Sequence, residues 1–302
     1  YERRIDQINA ELAKYNYDES KIQVVHTSEV IENEDSPVKA IRRKTDSSMV
    51  KGLTMLKDGE GDLFISAGNT GAYMAGSLFI LGRIPGIDRP AIASIYPIAG
   101  GALPSIIVDA GANSECRPAN LLEFAIMGSL YMEKVMDRKN ASVGLVNLGI
   151  EENKGTTVTK AAHKLLKEAD INFIGNVEAR DVPKGACDVI VCDGFTGNII
   201  LKLTEGFAWN LLKTMKKKFT DGISAKMGAM LLAGKVREIK DEFDYSEYGG
   251  APILGVNGHV LKIHGSSGAT AVRNAIIKGI PYAREDVVGR ITSAMEGIDV
   301  EE

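Results

Sequence analysis

Asp188-Val189-Ile190-Val191-Cys192, followed by Asp193-Gly194-Phe195-Thr196-Gly197-Asn198, decides the fold class. So short an apolar run without polar alternation suits a strand covered by helices on both faces. The Asp, Gly and Thr that follow suit a turn opening a helix. The same grammar recurs at Asp62-Leu63-Phe64-Ile65-Ser66 before Gly68, at Ser105-Ile106-Ile107-Val108-Asp109 before Gly111, and at Val143-Gly144-Leu145-Val146-Asn147 before Gly149. A last echo is Val260-Leu261-Lys262-Ile263 before Gly265. Strand, glycine loop and amphipathic helix in succession predict an α/β fold with a mostly parallel sheet. The carboxyl ends of these strands are expected to meet on one edge, where helix starts offer unpaired N–H groups and a positive dipole end to an anion.

Two regions depart from that pattern. The chain opens with a helix read from Tyr1 to Lys14, leading to a strand at Ile22-Gln23-Val24-Val25. Glu205 to Phe243 reads as helix with no strand inside, too long for a simple crossover, so a projecting helical hairpin is expected over residues 205–244. No linker rich in Pro, Gly or Ser divides the chain, and residues 1–302 are read as a single α/β domain.

Composition narrows the classes of function. Of 302 residues, 44% are apolar and 25% charged, the range of soluble globular proteins. A net charge of -4 argues against a surface built throughout to hold nucleic acid. The 3 cysteines, Cys116, Cys187 and Cys192, lack CxxC spacing and suggest neither a disulfide framework nor a metal site. No apolar run is long enough to span a bilayer and no signal-peptide architecture opens the chain, so a cytoplasmic protein is expected.

Ser66-Ala67-Gly68-Asn69-Thr70-Gly71-Ala72 has the residue types of a phosphate cradle, or of a tight turn with Asn as helix cap. The near-repeat in Thr196-Gly197-Asn198 favours a site, because two such loops at strand ends can converge on one ligand. Asp109-Ala110-Gly111-Ala112-Asn113 adds a carboxylate, which either orients a cationic side chain or caps a turn. Candidate ligand-binding positions are therefore Gly68, Asn69, Thr70, Gly71, Asp109, Asn113, Thr196 and Gly197. Lys154, in a loop opening a helix, is either a point charge for phosphate or a solvated lysine. The 4 histidines show no triad or metal grouping; His163 is expected on an exposed helix face, and His264 lies beside a candidate loop. Ser266 and Ser267 lack a nucleophile elbow, and Cys192 reads as a core residue.

The hairpin carries Lys213, Lys216, Lys217 and Lys218, then Met227, Met230, Leu231 and Leu232 among small residues. That mixture suits either shallow insertion into an anionic membrane surface or an ordinary dimer contact. Ser36-Pro37 marks a helix start, and the helix carries Arg42, Arg43 and Lys44 as either a solvated basic face or a seat for an acidic partner.

Read in order, the loop Ser66–Ala72, Gly82-Arg83-Ile84-Pro85-Gly86-Ile87-Asp88-Arg89-Pro90, Asp109–Asn113, Asn172–Asp181, Asp193–Asn198, Tyr248-Gly249-Gly250-Ala251 and His264-Gly265-Ser266-Ser267 resemble the bacterial phosphate acyltransferase family. The resemblance runs over nearly the whole chain. It implies a Rossmann-like α/β/α sandwich related to the phosphotransacetylase and isocitrate/isopropylmalate dehydrogenase architecture. It implies transfer of a long-chain acyl group from acyl carrier protein to inorganic phosphate, for phospholipid synthesis, without cofactor or metal. It also implies a homodimer associated peripherally with the inner face of the cell membrane, Lys154 and Asn198 as catalytic residues, and membrane contact by the hairpin. The family opens with a strand and an Asp-Ala-Met-Gly-Gly-Asp loop that nothing here matches, so part of the site is expected to be missing. Residues are expected to be missing also at Ala99-Gly100-Gly101-Ala102. Two rival readings are a nicotinamide-dependent dehydrogenase, against which the lack of GxGxxG weighs, and a peripheral membrane scaffold, which leaves the glycine loops unexplained.

Overall fold

The computed structural model describes residues 2–98, 100, 102–242 and 249–296. Tyr1, Ala99, Gly101, Tyr248 and the last residues expected in the hairpin, 243–244, lie outside the described residues. One sheet of eight strands is built from β1 (Phe64–Ser66), β2 (Ala91–Tyr96), β3 (Ser105–Val108), β4 (Ser142–Asn147), β5 (Asn172–Glu178), β6 (Val189–Val191), β7 (Ala251–Leu254) and β8 (Val260–Lys262), in the order β1-β8-β7-β2-β3-β6-β4-β5. Around it lie α2 (Pro37–Arg43), α3 (Ser48–Lys57), α4 (Thr70–Gly76), α5 (Pro118–Val135), α6 (Thr157–Glu168), α9 (Ala269–Arg284) and α10 (Val287–Met295); α1 (Glu2–Leu12) is largely exposed, and α7 (Gly194–Phe219) and α8 (Ile223–Glu242) form the hairpin.

The sheet is mostly parallel but has two parallel blocks of opposite direction. β3, β6, β4 and β5 run together, and β1 runs with β8. Between the blocks β2 and β7 pair antiparallel with each other, β2 with β3 and β7 with β8. Three antiparallel steps reverse direction, so β1 and β8 point against β3, β6 and β4, and the five strand ends do not share one edge as expected. Register nevertheless brings the loops together. Ser66 pairs with Lys262 and Lys262 with Ala251, close along β7 to the Ile253–Ile92 pair, so β1 and β8 end beside β2.

Alternation along the strands sets the two cores. Ile106, Val108, Val189 and Val191 face α5, whose Phe124, Met127 and Met132 are buried with them. Ile107, Ile190 and Cys192 belong to the other face, with Leu53, Tyr73 and Val182. Each such side chain withdrawn from water contributes about 1.5–3 kcal/mol. Cys192 is thus the core residue that its strand predicts.

Other expectations need correcting. Ile22–Val25 forms no strand; Ile22 is 45% exposed, and the nearest pairing is an isolated bridge from Glu29 to Ser47. His163 is buried: its Nδ1 lies 2.9 Å from Asn176 Oδ1, its Nε2 3.7 Å from Glu152 Oε1, and its ring meets the edge of Phe173. The amphipathic helix pattern turns that side of α6 to the sheet. The hairpin begins earlier than Glu205. Gly194 starts a helix of 26 residues, about 39 Å at the usual rise, and only Gly194 and Gly197 in it are buried.

Candidate active site

The loop after β3 is organised by one carboxylate. Asp109 is fully buried and accepts hydrogen bonds from the backbone N–H groups of Ile92, Gly111, Ala112 and Asn113, the Asn113 amide at 2.6 Å, and from Asn113 Nδ2 at 3.0 Å. Burial raises its pKa while those donors oppose the rise. Asp109 therefore caps a turn, and among the described residues no cationic side chain is paired with it. Asn113 Nδ2 also donates to the Pro90 carbonyl, and Asn113 O accepts from Gly194 N at 2.7 Å, which seats the start of α7 against this loop.

The Asp193–Asn198 segment is a helix start rather than an open loop. Asp193 is the N-cap, with Oδ1 accepting from Thr196 N at 2.8 Å and Oδ2 from the Thr196 hydroxyl at 2.9 Å. The loop after β1 behaves alike: Asn69 Oδ1 caps Ala72 N at 2.9 Å, and its Nδ2 holds the carbonyls of Glu32 and Asn33. A Cβ on Gly68 would stand 2.7 Å from Met49 Cε, and one on Gly71 2.8 Å from Pro37 Cγ. Much of the donor capacity expected to cradle phosphate is thus spent within the loops themselves. Of the candidate positions Thr70 and Asn198 line an open space, while Gly68, Asn69, Gly71, Asp109, Asn113, Thr196 and Gly197 lie in flanking turns outside its lining.

That space is a cavity of about 250 Å³ over β2. Ile92, Ser94 and Tyr96 form its floor, Asn198, Leu201, Lys202, Thr204 and Glu205 of α7 one side, and Lys262, His264 and Ser267 the other, with Thr70 from α4 between. The Tyr96 hydroxyl lies 2.9 Å from Thr204 Oγ1, tying the central strand to the helix, and burial raises the tyrosine pKa. Asn198 stands beside Gly111, where an added Cβ would meet Asn198 Cβ at 3.7 Å, an ordinary contact; its amide has no hydrogen-bond partner among the described residues. The His264 Nδ1 accepts from Ser266 N at 3.2 Å and lies 2.6 Å from the Ser266 hydroxyl.

Lys154 lies outside this lining, on the exposed loop after β4. β4 pairs with β6, the strand that launches α7, so Lys154 and Asn198 ride on adjacent strand ends. Asn147 Nδ2 holds the Lys154 carbonyl at 3.2 Å, and Asn176 Nδ2 holds that of Glu151 at 2.9 Å. Sequence reasoning missed Ser94, Tyr96, Thr204 and Lys262. Lys262 had a signal, a lysine closing an apolar strand just before Gly and Ser. Ser94 and Tyr96 had only the prolines Pro90 and Pro97 bounding their strand.

Residues 4–290 match the family model described as fatty acid synthesis protein. The phosphate acyltransferase of Alkaliphilus oremlandii is 53% identical over 295 residues, covering 98% of this chain and 88% of that protein. The phosphate acyltransferase of Clostridioides difficile is 50% identical over 283 residues, covering 94% and 83%. Among solved structures, the EutD phosphotransacetylase of Staphylococcus aureus superposes with a TM-score of 0.57 at 17% identity, covering 94% of this chain and 84% of that one. A phosphotransacetylase of Streptococcus pyogenes gives 0.53 at 18%, covering 78% and 67%. The structural likeness is one of fold.

Proposed function

We propose, from the premise that this chain belongs to the phosphate acyltransferase family and is a transferase enzyme, that it moves a long-chain acyl group from acyl carrier protein to inorganic phosphate. The observation that carries this reading is the Asn198 amide, unpartnered among the described residues, on the wall of a cavity that mixes apolar surface with polar side chains. The acyl chain takes the apolar side formed by Ile92, Ile95 and Leu201.

A phosphate oxygen attacks the thioester carbon, the new C–O bond forms and the carbonyl oxygen becomes an oxyanion. Asn198 donates to that oxyanion, a preorganised dipole where charge develops. Lys154, from the adjacent loop, supplies positive charge to the phosphate as it reacts. Collapse breaks the C–S bond, acyl phosphate is released, and the proton shed by phosphate ends on the carrier thiol. Positioning two substrates and stabilising charge supply the rate, with no covalent enzyme intermediate. Gly68, Asn69, Gly71, Asp109, Asn113, Thr196 and Gly197 serve by fixing the walls.

The reading extends to the chain's surroundings. Residues 1–302 act as one catalytic domain, with the hairpin as its appendage. Met227, Met230, Leu231 and Leu232 of α8 are 50–87% exposed close to a lysine-rich helix end, which supports peripheral contact with the inner face of the cell membrane and delivery of an insoluble product to phospholipid synthesis. A homodimer is supported by exposed Phe195, Ile199 and Leu203, which recur along α7. Single-turnover acyl transfer in Lys154→Ala and Asn198→Ala tests the chemistry: each is expected to slow the step about 100-fold, and an unchanged rate removes that residue from the mechanism.

A further inference from the structure

The cavity wall carries two lysines that differ in counter-charge. Lys202 Nζ donates to Glu205 Oε2 at 2.8 Å, an ion pair within one turn of α7. Lys262, at the carboxyl end of β8, is half-buried, and its ammonium turns back on the Ile263 carbonyl. Among the described residues it has no carboxylate partner.

One carbonyl satisfies one of three ammonium donors and neutralises no charge. A cation withdrawn from water without a counter-ion is costly until an anion joins it. Burial accordingly pulls the Lys262 pKa below the ordinary lysine value. Two residues with neutral donors, Thr70 and Ser267, line the same cavity, and neither hydroxyl has a hydrogen bond among the described residues. These three residues come from the end of β8, the start of α4 and the loop before α9 and line one cavity, which offers an anion donors from separate elements.

The geometry points to Lys262 as the anchor of the phosphate group in this cavity, with Thr70 and Ser267 as its neutral donors. This inference rests on the acyl-transfer reading, in which phosphate must occupy the site. It divides the work of the two lysines. Lys262, inside the cavity, holds the anion in the ground state, and Lys154, outside it, meets charge that develops during transfer. A phosphate group reaches the cavity either as the free ion or within the prosthetic arm of the acyl carrier; the inference is for the free ion, and titrating phosphate and acyl carrier separately distinguishes the two.

The test uses the full chain with Lys262→Gln and Lys262→Arg, first by calorimetry with inorganic phosphate alone and then by steady-state acyl transfer with phosphate and acyl carrier varied separately. Expected are a loss of phosphate affinity and a rise in phosphate KM of about 10-fold or more in Lys262→Gln. The kcat at saturating phosphate and the KM for acyl carrier should stay near wild type, with partial recovery in Lys262→Arg. Lys262→Met, which keeps the apolar stem, replaces Lys262→Gln if that variant fails to fold. Unchanged phosphate affinity in a folded variant overturns the assignment, as does a rise confined to the acyl-carrier KM. Phosphate binding that depends on Lys262 in a protein that transfers no acyl group would instead sink the acyl-transfer reading and leave the anion site standing.

Discussion

The Cβ that Gly197 lacks would lie 2.0 Å from the Asp109 carbonyl oxygen, so α7 rests on the β3 loop at van der Waals contact. The adjacent residue is Asn198, and this contact sets where its amide stands. Gly197→Ala must push the helix away. It is expected to cost about 1–3 kcal/mol in thermal or urea unfolding and to lower turnover beyond the stability loss.

Asn198→Ala should behave oppositely. Asn198 is exposed with no hydrogen-bond partner among the described residues, so the unfolding midpoint is expected to be unchanged while kcat falls about 100-fold. A matching fall in stability would show that Asn198 is a scaffold residue.

Asp109→Asn separates scaffold from chemistry on the other side of the same contact. The carboxylate gathers the N–H groups of Ile92, Gly111, Ala112 and Asn113, and an amide cannot accept from all of them. A loss of about 2–3 kcal/mol is expected in chemical denaturation, with a larger effect on stability than on phosphate KM.

Lys262 carries a pH-dependent cost. Its folded pKa is below the unfolded value, so the buried charge destabilises the ligand-free protein at all pH values below the folded pKa, and the cost is relieved as pH rises through it. Lys262→Met should therefore raise the ligand-free melting temperature at neutral pH by roughly 2 °C, with the gain shrinking in strong alkali. A lower melting temperature would mean that the ammonium already has a stabilising partner.

Met230→Asp with Leu231→Asp should abolish co-sedimentation of the protein with vesicles of anionic phospholipid, and added salt should weaken wild-type binding through Lys213, Lys216, Lys217 and Lys218. Undiminished sedimentation of the double variant assigns these side chains to a protein contact.

The repeat of strand, glycine loop and helix made β1, β3, β4, β6 and β8 legible, because each is followed by its own signature. β5, β2 and β7 escaped; the last two are followed by non-helical loops, and Ala91–Tyr96 looks like any apolar run between prolines. Since those two strands carry the antiparallel pairings, missing them hid the reversal of β1 and β8 and the cavity floor. At the site, residue type singled out Thr70 and the family resemblance Asn198, but neither separated an asparagine that caps, Asn69, from one that lines the cavity, Asn198. Hydrogen-bond competition within each loop decides that, and it depends on where Glu32 and Asn33 lie in space. Lys262 was hidden because its lack of a counter-ion among the described residues is a property of neighbours distant in the chain.

The central claim is acyl transfer to phosphate, and the direct measurement is carrier thiol release from palmitoyl-acyl carrier protein with and without phosphate, together with acyl phosphate formed. The account predicts that thiol and acyl phosphate appear in equal amounts and only when phosphate is present. Thiol release that proceeds without phosphate would contradict it and mark a thioesterase; absence of release would contradict it as well.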